Sequence, residues 1–275
     1  MTAPQEPTRL AVSETEIAQI IETAHILADA ARKTSLAYFR SPELSADNKD
    51  DSGFDPVTLA DRETEAVMRA ILAERRPKDG VMGEEQDDTP SSSGLTWVLD
   101  PIDGTRGYIS GTPTWGVLIA LQDEAGPLYG IIDQPYIGER FEGGFGISRL
   151  SGPHGSHDLG TRSTASLEEA TLFTTFPEVG SAEERAGFET VRDEVKLTRY
   201  GMDCYAYALL AAGQVDLVIE AGLHCFDIAA PIAVIEAAGG VVTDWQGGPA
   251  HEGGRVLAAA NHELHAAALA LLAKA

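Results

Sequence analysis

The chain is 275 residues long, 43% hydrophobic and 23% charged, which suffices to bury a core in one large domain or two closely packed halves. No apolar run reaches the roughly 18 residues of a membrane helix, and a formal net charge of −23 argues against a broad nucleic-acid footprint, which needs clustered Lys and Arg. The two cysteines, Cys204 and Cys225, have neither metal-type spacing nor the pattern of a disulfide framework, so a reducing cytoplasm is expected.

In chain order, MTAPQEPTRL lacks a basic segment followed by an apolar one and reads as a short mobile leader, not a signal peptide. Residues 14–39 carry apolar positions at helical spacing, with Ser13 as N-cap and Glu16 completing a capping-box pattern. DPVTLADRETEAVMRAILAERRP predicts an extended start and a second amphipathic helix that stops at Pro77. DGVMGEEQ predicts a short strand entering an acidic turn, and TWVLD a strand after a Ser-rich loop. The stretch from TWGVLIALQ to FEGGFG predicts several antiparallel strands with Gly-containing turns. SRLSGPHGSHDLGTRST reads as a polar connection, with one half over residues 1–147 and the other over 148–275, interlocked as a single unit. Beyond it strands alternate with helices: ATLFTTF, AEERAGFETVRDEV, CYAYALLAAG, VDLVIEAG, DIAAPIAVIEAAGG, VVTDW and a final Ala/Leu helix.

Four acidic features follow apolar strands or open helices: Asp61, Glu84 with Glu85, Asp100 with Asp103, and Asp227. Each alone suits a turn or an N-cap. The D-P-x-D-G-T grouping weakens that reading, because Pro101 fixes the backbone and Gly104 permits a tight turn that can converge both carboxylates. Like charges so close repel unless a cation lies between them, and hard oxygen ligands without Cys or His favour magnesium.

DPIDGT after an apolar strand, GEE and DPVTLAD upstream, and HCFDIAAPIAVIEAAGGVVTD downstream together resemble the inositol monophosphatase family of metal-dependent phosphatases. Four blocks in the family's order cover most of the chain from about Lys49 onward. The resemblance implies an α/β (α+β) fold layered αβαβα, a homodimer, a small phosphate monoester as substrate, and two or three Mg2+ per site. By position it implies that Glu84, Asp100 and the Ile102 carbonyl bind one magnesium, and Asp100, Asp103 and Asp227 a second. Asp61 and Thr105, with Glu84, match the catalytic group that orients and activates water. The Gly104 and Thr105 amides would receive the phosphate, and Lys49 matches a basic residue near the metals.

RYGMDCYAYALLAAG and TRSTASLEEATLFTTFP resemble the histidinol-phosphate phosphatases of that family, whereas LHCFDIAAP keeps the H-C-[FW]-D form common in inositol monophosphatases. Asp203 and Glu220 are the candidate pocket acids for a substrate bearing an ammonium and an imidazole. Alone, Asp203 also suits an N-cap and Glu220 a surface acid at a sheet edge. Arg199 suits either a surface charge or a phosphate contact. His224 and Cys225 are expected to be packed structural residues, Tyr205 and Tyr207 core aromatics, and His154 with His157 no metal pair. The expected activity is hydrolysis of L-histidinol phosphate, with an inositol-1-phosphate or broader sugar-phosphate phosphatase as the alternative. A non-catalytic regulatory protein keeping the fold is the reading from a different class.

Overall fold

A computed structural model describes residues 9–42, 46–48 and 56–273; residues 1–8 of the leader and Lys49 lie outside the described residues, while Arg9 and Leu10 at its end are not free but bonded, to the Gly126 carbonyl and to Asp123 respectively. Helix α1 (Glu14–Tyr38) opens as expected, with the Ser13 hydroxyl accepting from the Glu16 amide. The reciprocal half of the box is spent elsewhere, since the Glu16 carboxylate takes Arg76 at 2.9 Å. Short strands β1 (Ala46–Asn48) and β2 (Pro56–Thr58) pair antiparallel and lead into α2 (Leu59–Arg75).

Strands β3 (Gly80–Gly83), β4 (Thr96–Asp103), β5 (Gly116–Asp123), β6 (Gly126–Gln134), β7 (Glu139–Gly144), β8 (Ile147–Gly152) and β9 (Gly155–Asp158) form a seven-stranded sheet in sequence order. The short helix α3 (Thr105–Ile109) interrupts it after β4. SRLSGPHGSHD, expected as a polar connection, is instead the β8–β9 hairpin. Leu150 is buried on one face while most of its neighbours are exposed, so a single apolar contact and the ladder to β7 hold this polar stretch in the sheet. The second sheet has the order β11 (Leu197–Tyr200), β10 (Thr171–Thr174), β12 (Leu217–Leu223), β14 (Gly254–Ala259), β13 (Val241–Asp244). Its helices are α4 (Ala182–Arg192), α5 (Cys204–Ala211), α6 (Cys225–Ala237) and α7 (His262–Leu272).

Five layers follow from alternation along the strands. Leu99, Val117 and Ile119 face α1 and α2 through Ala24, Leu27 and Met68. The neighbouring Val98, Leu118 and Ala120 face the opposite way, into a middle layer of α5 and α6 that also covers Val218, Val256 and Ala258 of the second sheet. Leu172, Leu217 and Leu257 on that sheet's far face pack against Phe188 of α4 and Leu264 and Ala268 of α7. The order is therefore α, seven-stranded β, α, five-stranded β, α, as the resemblance implied. Close approach of α6 requires glycine at β7, because a Cβ on Gly143 would lie 2.5 Å from the Ala233 carbonyl oxygen.

Candidate active site

Asp61 is the third residue of α2, where it completes a capping box. Thr58 N donates to Asp61 Oδ2 at 2.8 Å and the Thr58 hydroxyl donates to the same oxygen. The other oxygen, Oδ1, is left for Thr105, whose hydroxyl lies 3.3 Å from it and 3.2 Å from the Ile102 carbonyl. One sequence feature thus serves as helix cap and as one end of a cross-element pair.

Strand β4 carries Asp100 inside the ladder, opposite Leu118, and its register shifts before Asp103 meets Gly116. That bulge breaks the two-residue alternation, so carboxylates three positions apart converge. Ile102 N donates to Asp100 Oδ1 at 3.0 Å, tightening the turn. Gly104 follows with φ of 85°, a left-handed conformation that glycine adopts without steric cost, and caps α3. Tyr108 anchors α3 by donating to the Ser35 carbonyl at 2.6 Å and by an edge contact with Trp115.

Asp227, in the first turn of α6, accepts from the His224 amide at 2.6 Å. Ligand atoms of Asp100, Asp103 and Asp227 all lie within 4.8 Å of one another. Burial drives the Asp100 carboxyl well above its ordinary range, reinforced by Glu84, Asp103, Asp227 and Asp61, all of them anions. Burial does the same to Asp103, with Asp203 and Asp227 adding to it. A converging set of hard oxygens whose strongest neighbours are anions fits a divalent cation of the magnesium kind, not zinc or copper. Glu84, at the bend after β3, lines the same cleft.

The cleft has a volume of about 550 Å³. Glu84, Asp103, Thr105, Glu220 and Asp227 line it, as does Asp203, whose carboxylate lies beside Gly104: a Cβ there would come within 2.8 Å of Asp203 Oδ2. Glu220 is not at a sheet edge: β12 is the central strand of its sheet, and the side chain is 6% exposed. Thr175 N and Oγ1 donate to Glu220 Oε1 at 2.7 and 2.9 Å, and Thr174 Oγ1 donates to Oε2 at 3.2 Å. Burial pushes its carboxyl up to about 7, against the pull of those Thr donors and with a push from Asp203.

Asp203 precedes α5 but makes no capping bond with its side chain. The cap comes from Asp103, whose Oδ2 accepts the Cys204 amide at 2.6 Å. Asp203 is thereby released toward the cleft, where Thr114 Oγ1 lies 3.3 Å away, on a backbone with φ of 47° that a non-glycine residue adopts only under constraint. Burial raises its carboxyl, opposed by Thr114 and Arg106.

Other expected residues sit elsewhere. Arg199 lies exposed on β11, the outermost strand, and does not line the cleft; its strand position carries the charge outward. His224 is exposed and stacked on Phe226 at the cleft, not packed inside. Cys225 meets the Met82 sulfur at 2.9 Å. The buried Cys204 thiol is pushed well above its ordinary range by burial and then Asp103, which removes it as a nucleophile. Tyr205 packs against the core and bonds Glu139 at 2.6 Å, and Tyr207 is a buried core aromatic as expected that also borders the cleft, its hydroxyl without a hydrogen-bond partner. Sequence reasoning missed Thr174, Thr175, Arg106 and Phe176. Arg106 stands over the Phe176 ring at 4.9 Å, both at the cleft, and no motif marks that pair. The T-x-x-D spacing of Thr58 to Asp61 was available as a capping signal.

The family model for the inositol monophosphatase family matches residues 16–275. This chain belongs to the inositol monophosphatase family. It is 44% identical over 239 residues to an Arabidopsis thaliana protein named bifunctional phosphatase IMPL2, chloroplastic, covering 86% of this chain and 67% of that protein. A Streptomyces coelicolor histidinol-phosphatase is 35% identical over 256 residues, covering 89% of this chain and 93% of the relative. Among solved structures, an inositol monophosphatase from Zymomonas mobilis superposes with a TM-score of 0.82 at 40% identity, covering 95% of this chain and all of its own. The chain is accordingly a phosphoric monoester hydrolase of a metal-dependent family that acts on small phosphate esters. No described helix is long and apolar enough to cross a membrane.

Proposed function

We propose that this enzyme hydrolyses L-histidinol phosphate to L-histidinol and phosphate. The supporting observation is the pair of acids Asp203 and Glu220, both lining the same cleft as Asp103, Gly104 and Thr105. A polyol needs hydrogen-bond partners but no net negative charge, whereas an alcohol bearing an ammonium and an imidazole gains from charge-assisted bonds to two carboxylates. The 35% identity to a histidinol-phosphatase points the same way. The 40% identity to an inositol monophosphatase and the His224-Cys225-Phe226-Asp227 run favour inositol 1-phosphate as the second reading.

In the proposed mechanism Glu84, Asp100, Asp103, Asp227 and the Ile102 carbonyl hold magnesium. Bound there, magnesium supplies charge neutralisation for the phosphate and leaving oxygens and eases deprotonation of water. The amides of Gly104 and Thr105, at the start of α3, face the phosphate oxygens. Thr105 Oγ1 orients the attacking water and takes a proton from it as its own hydroxyl proton passes to Asp61 Oδ1, while the Thr58 donors fix the other Asp61 oxygen. Asp103 stays oriented because the Cys204 amide holds one of its oxygens. A cytoplasmic homodimer belongs to the same proposal; light scattering reads its mass.

Phosphate release from histidinol phosphate and from myo-inositol 1-phosphate tests the substrate. A higher kcat/KM on histidinol phosphate is expected, and a preference for inositol 1-phosphate would overturn the reading.

A further inference from the structure

Asp61, Glu65 and Arg69 recur every four residues on α2 and therefore share one face of that helix. Asp61 reaches Thr105. The other two reach a different element, the bend that follows β3. Glu65 Oε2 accepts from the Glu85 amide at 2.7 Å, and its Oε1 accepts from Arg69 Nε at 2.7 Å. The two remaining arms of the Arg69 guanidinium donate to backbone carbonyls of the same bend, Nη2 to Gln86 at 3.0 Å and Nη1 to Asp87 at 3.1 Å. Gly83 admits the carboxylate, since a Cβ there would lie 2.5 Å from Glu65 Oε1. The base of the bend is closed by paired backbone bonds between Val81 and Thr89.

We propose that Glu65 and Arg69 are positioning residues that hold the backbone around Glu84 so that its carboxylate is pre-set for a divalent cation. The inference rests on the reading of Glu84 as a metal ligand. The side chain of Glu65 is fully buried and that of Arg69 is 13% exposed. Burying such a pair costs desolvation that an apolar pair of similar size avoids, so stability alone is a poor reason for it. What the pair adds is geometry. A planar guanidinium binds one carboxylate and two successive carbonyls in a fixed fork, and the carboxylate takes the next amide. The three bonds to the bend fall on residues 85 to 87, directly after Glu84, so the chain leaves Glu84 in one direction. Through Asp61 the same helix face reaches Thr105, keeping the metal-side bend and the water-side pair in fixed relation.

The test is Mg2+ binding to the substrate-free protein, by calorimetry, for the parent, Arg69→Lys, Glu65→Gln, Glu84→Gln and the control Arg76→Lys. Arg76 is another part-buried arginine near Arg69, but its bonds run to Asp79 and Glu16 and not to the backbone of residues 85–87. A lysine cannot reproduce the fork, so Arg69→Lys is expected to weaken Mg2+ by about tenfold, the usual effect of losing a group that orients a ligand. Excess Mg2+ should then restore kcat, with KM for the phosphate ester unchanged. Arg76→Lys should lower the Tm but leave Mg2+ affinity alone. If Arg69→Lys does not fold, Glu65→Gln breaks the clamp from its other end and carries the same expectation. Parent-like Mg2+ affinity in the clamp variants, beside weakened Glu84→Gln, overturns the clamp. So does an equal weakening in Arg76→Lys, which would mean general loosening. Parent-like affinity in Glu84→Gln overturns the ligand reading itself and the clamp with it.

Discussion

Asp100 sets stability against chemistry: it is 1% exposed, and beyond burial itself its neighbours Glu84, Asp103, Asp227 and Asp61 are all acids. Asp100→Asn removes that repulsion, so the metal-free variant should melt higher than the parent, by about 1 kcal/mol, while turnover on every phosphate ester disappears. Calorimetric melting in chelator and a phosphate-release assay read the two effects. Asp203 calls for a separate pair of variants. Asp203→Asn should raise KM for histidinol phosphate by about tenfold, the loss of one charge-assisted contact, with kcat nearly kept. Asp203→Gly should show the same KM and a Tm no lower than the parent, because glycine relieves the φ of 47°. Glu220 titrates where it can be watched. Its folded pKa of about 7 lies above the ordinary carboxylate value. Its stabilising contribution is therefore present at low pH and lost as pH rises through about 7. Metal-free Glu220→Gln should gain Tm relative to the parent between about pH 5 and pH 8, and an unchanged difference would contradict the assignment. At this scale the sequence was legible where acids crowd, in DPIDGT, GEE and HCFD. Tyr207 is the core aromatic that its helix spacing predicted, although it also borders the cleft; the sequence was illegible for Arg199, whose motif position conceals an exposed outer strand.

Elements position these side chains through two devices, a bulge in β4 and helices that start at the cleft. The bulge was implicit in Pro101 and Gly104, since neither continues a regular ladder. The exchange of caps at α5 was not. Asp103 caps the helix from a hundred residues away while the adjacent Asp203 does not, and only tertiary structure brings them together. The β8–β9 hairpin escaped for a related reason: β9 is exposed throughout, so it carries no apolar alternation to read. The β7–α6 contact gives a test at this level. Gly143→Ala forces a Cβ against the α6 backbone, and an overpacking loss of about 1–3 kcal/mol in urea unfolding is expected. A neutral result would mean that α6 can shift, and then Asp227 on its first turn would shift with it.

For the whole molecule, the elements were legible because strand and helix periods switch along the chain, whereas the five-layer order was implied by the resemblance of the four ordered blocks. The seam between the sheets was less legible, because α5 and α6 are hydrophobic nearly all round and serve both sheets at once. That sandwiched layer brings Asp203, Glu220 and Asp227, all from the later part of the chain, to the Asp100–Thr105 turn. In the proposed reading, reaction and specificity come from different stretches meeting at one cleft. The most direct test of that division is kcat/KM for L-histidinol phosphate against myo-inositol 1-phosphate, each with Mg2+ and with chelator, for the parent and Asp203→Asn. The expected result is Mg2+-dependent turnover that favours histidinol phosphate in the parent and loses most of that preference in the variant. Equal or greater efficiency on inositol 1-phosphate, unaltered by Asp203→Asn, would contradict it.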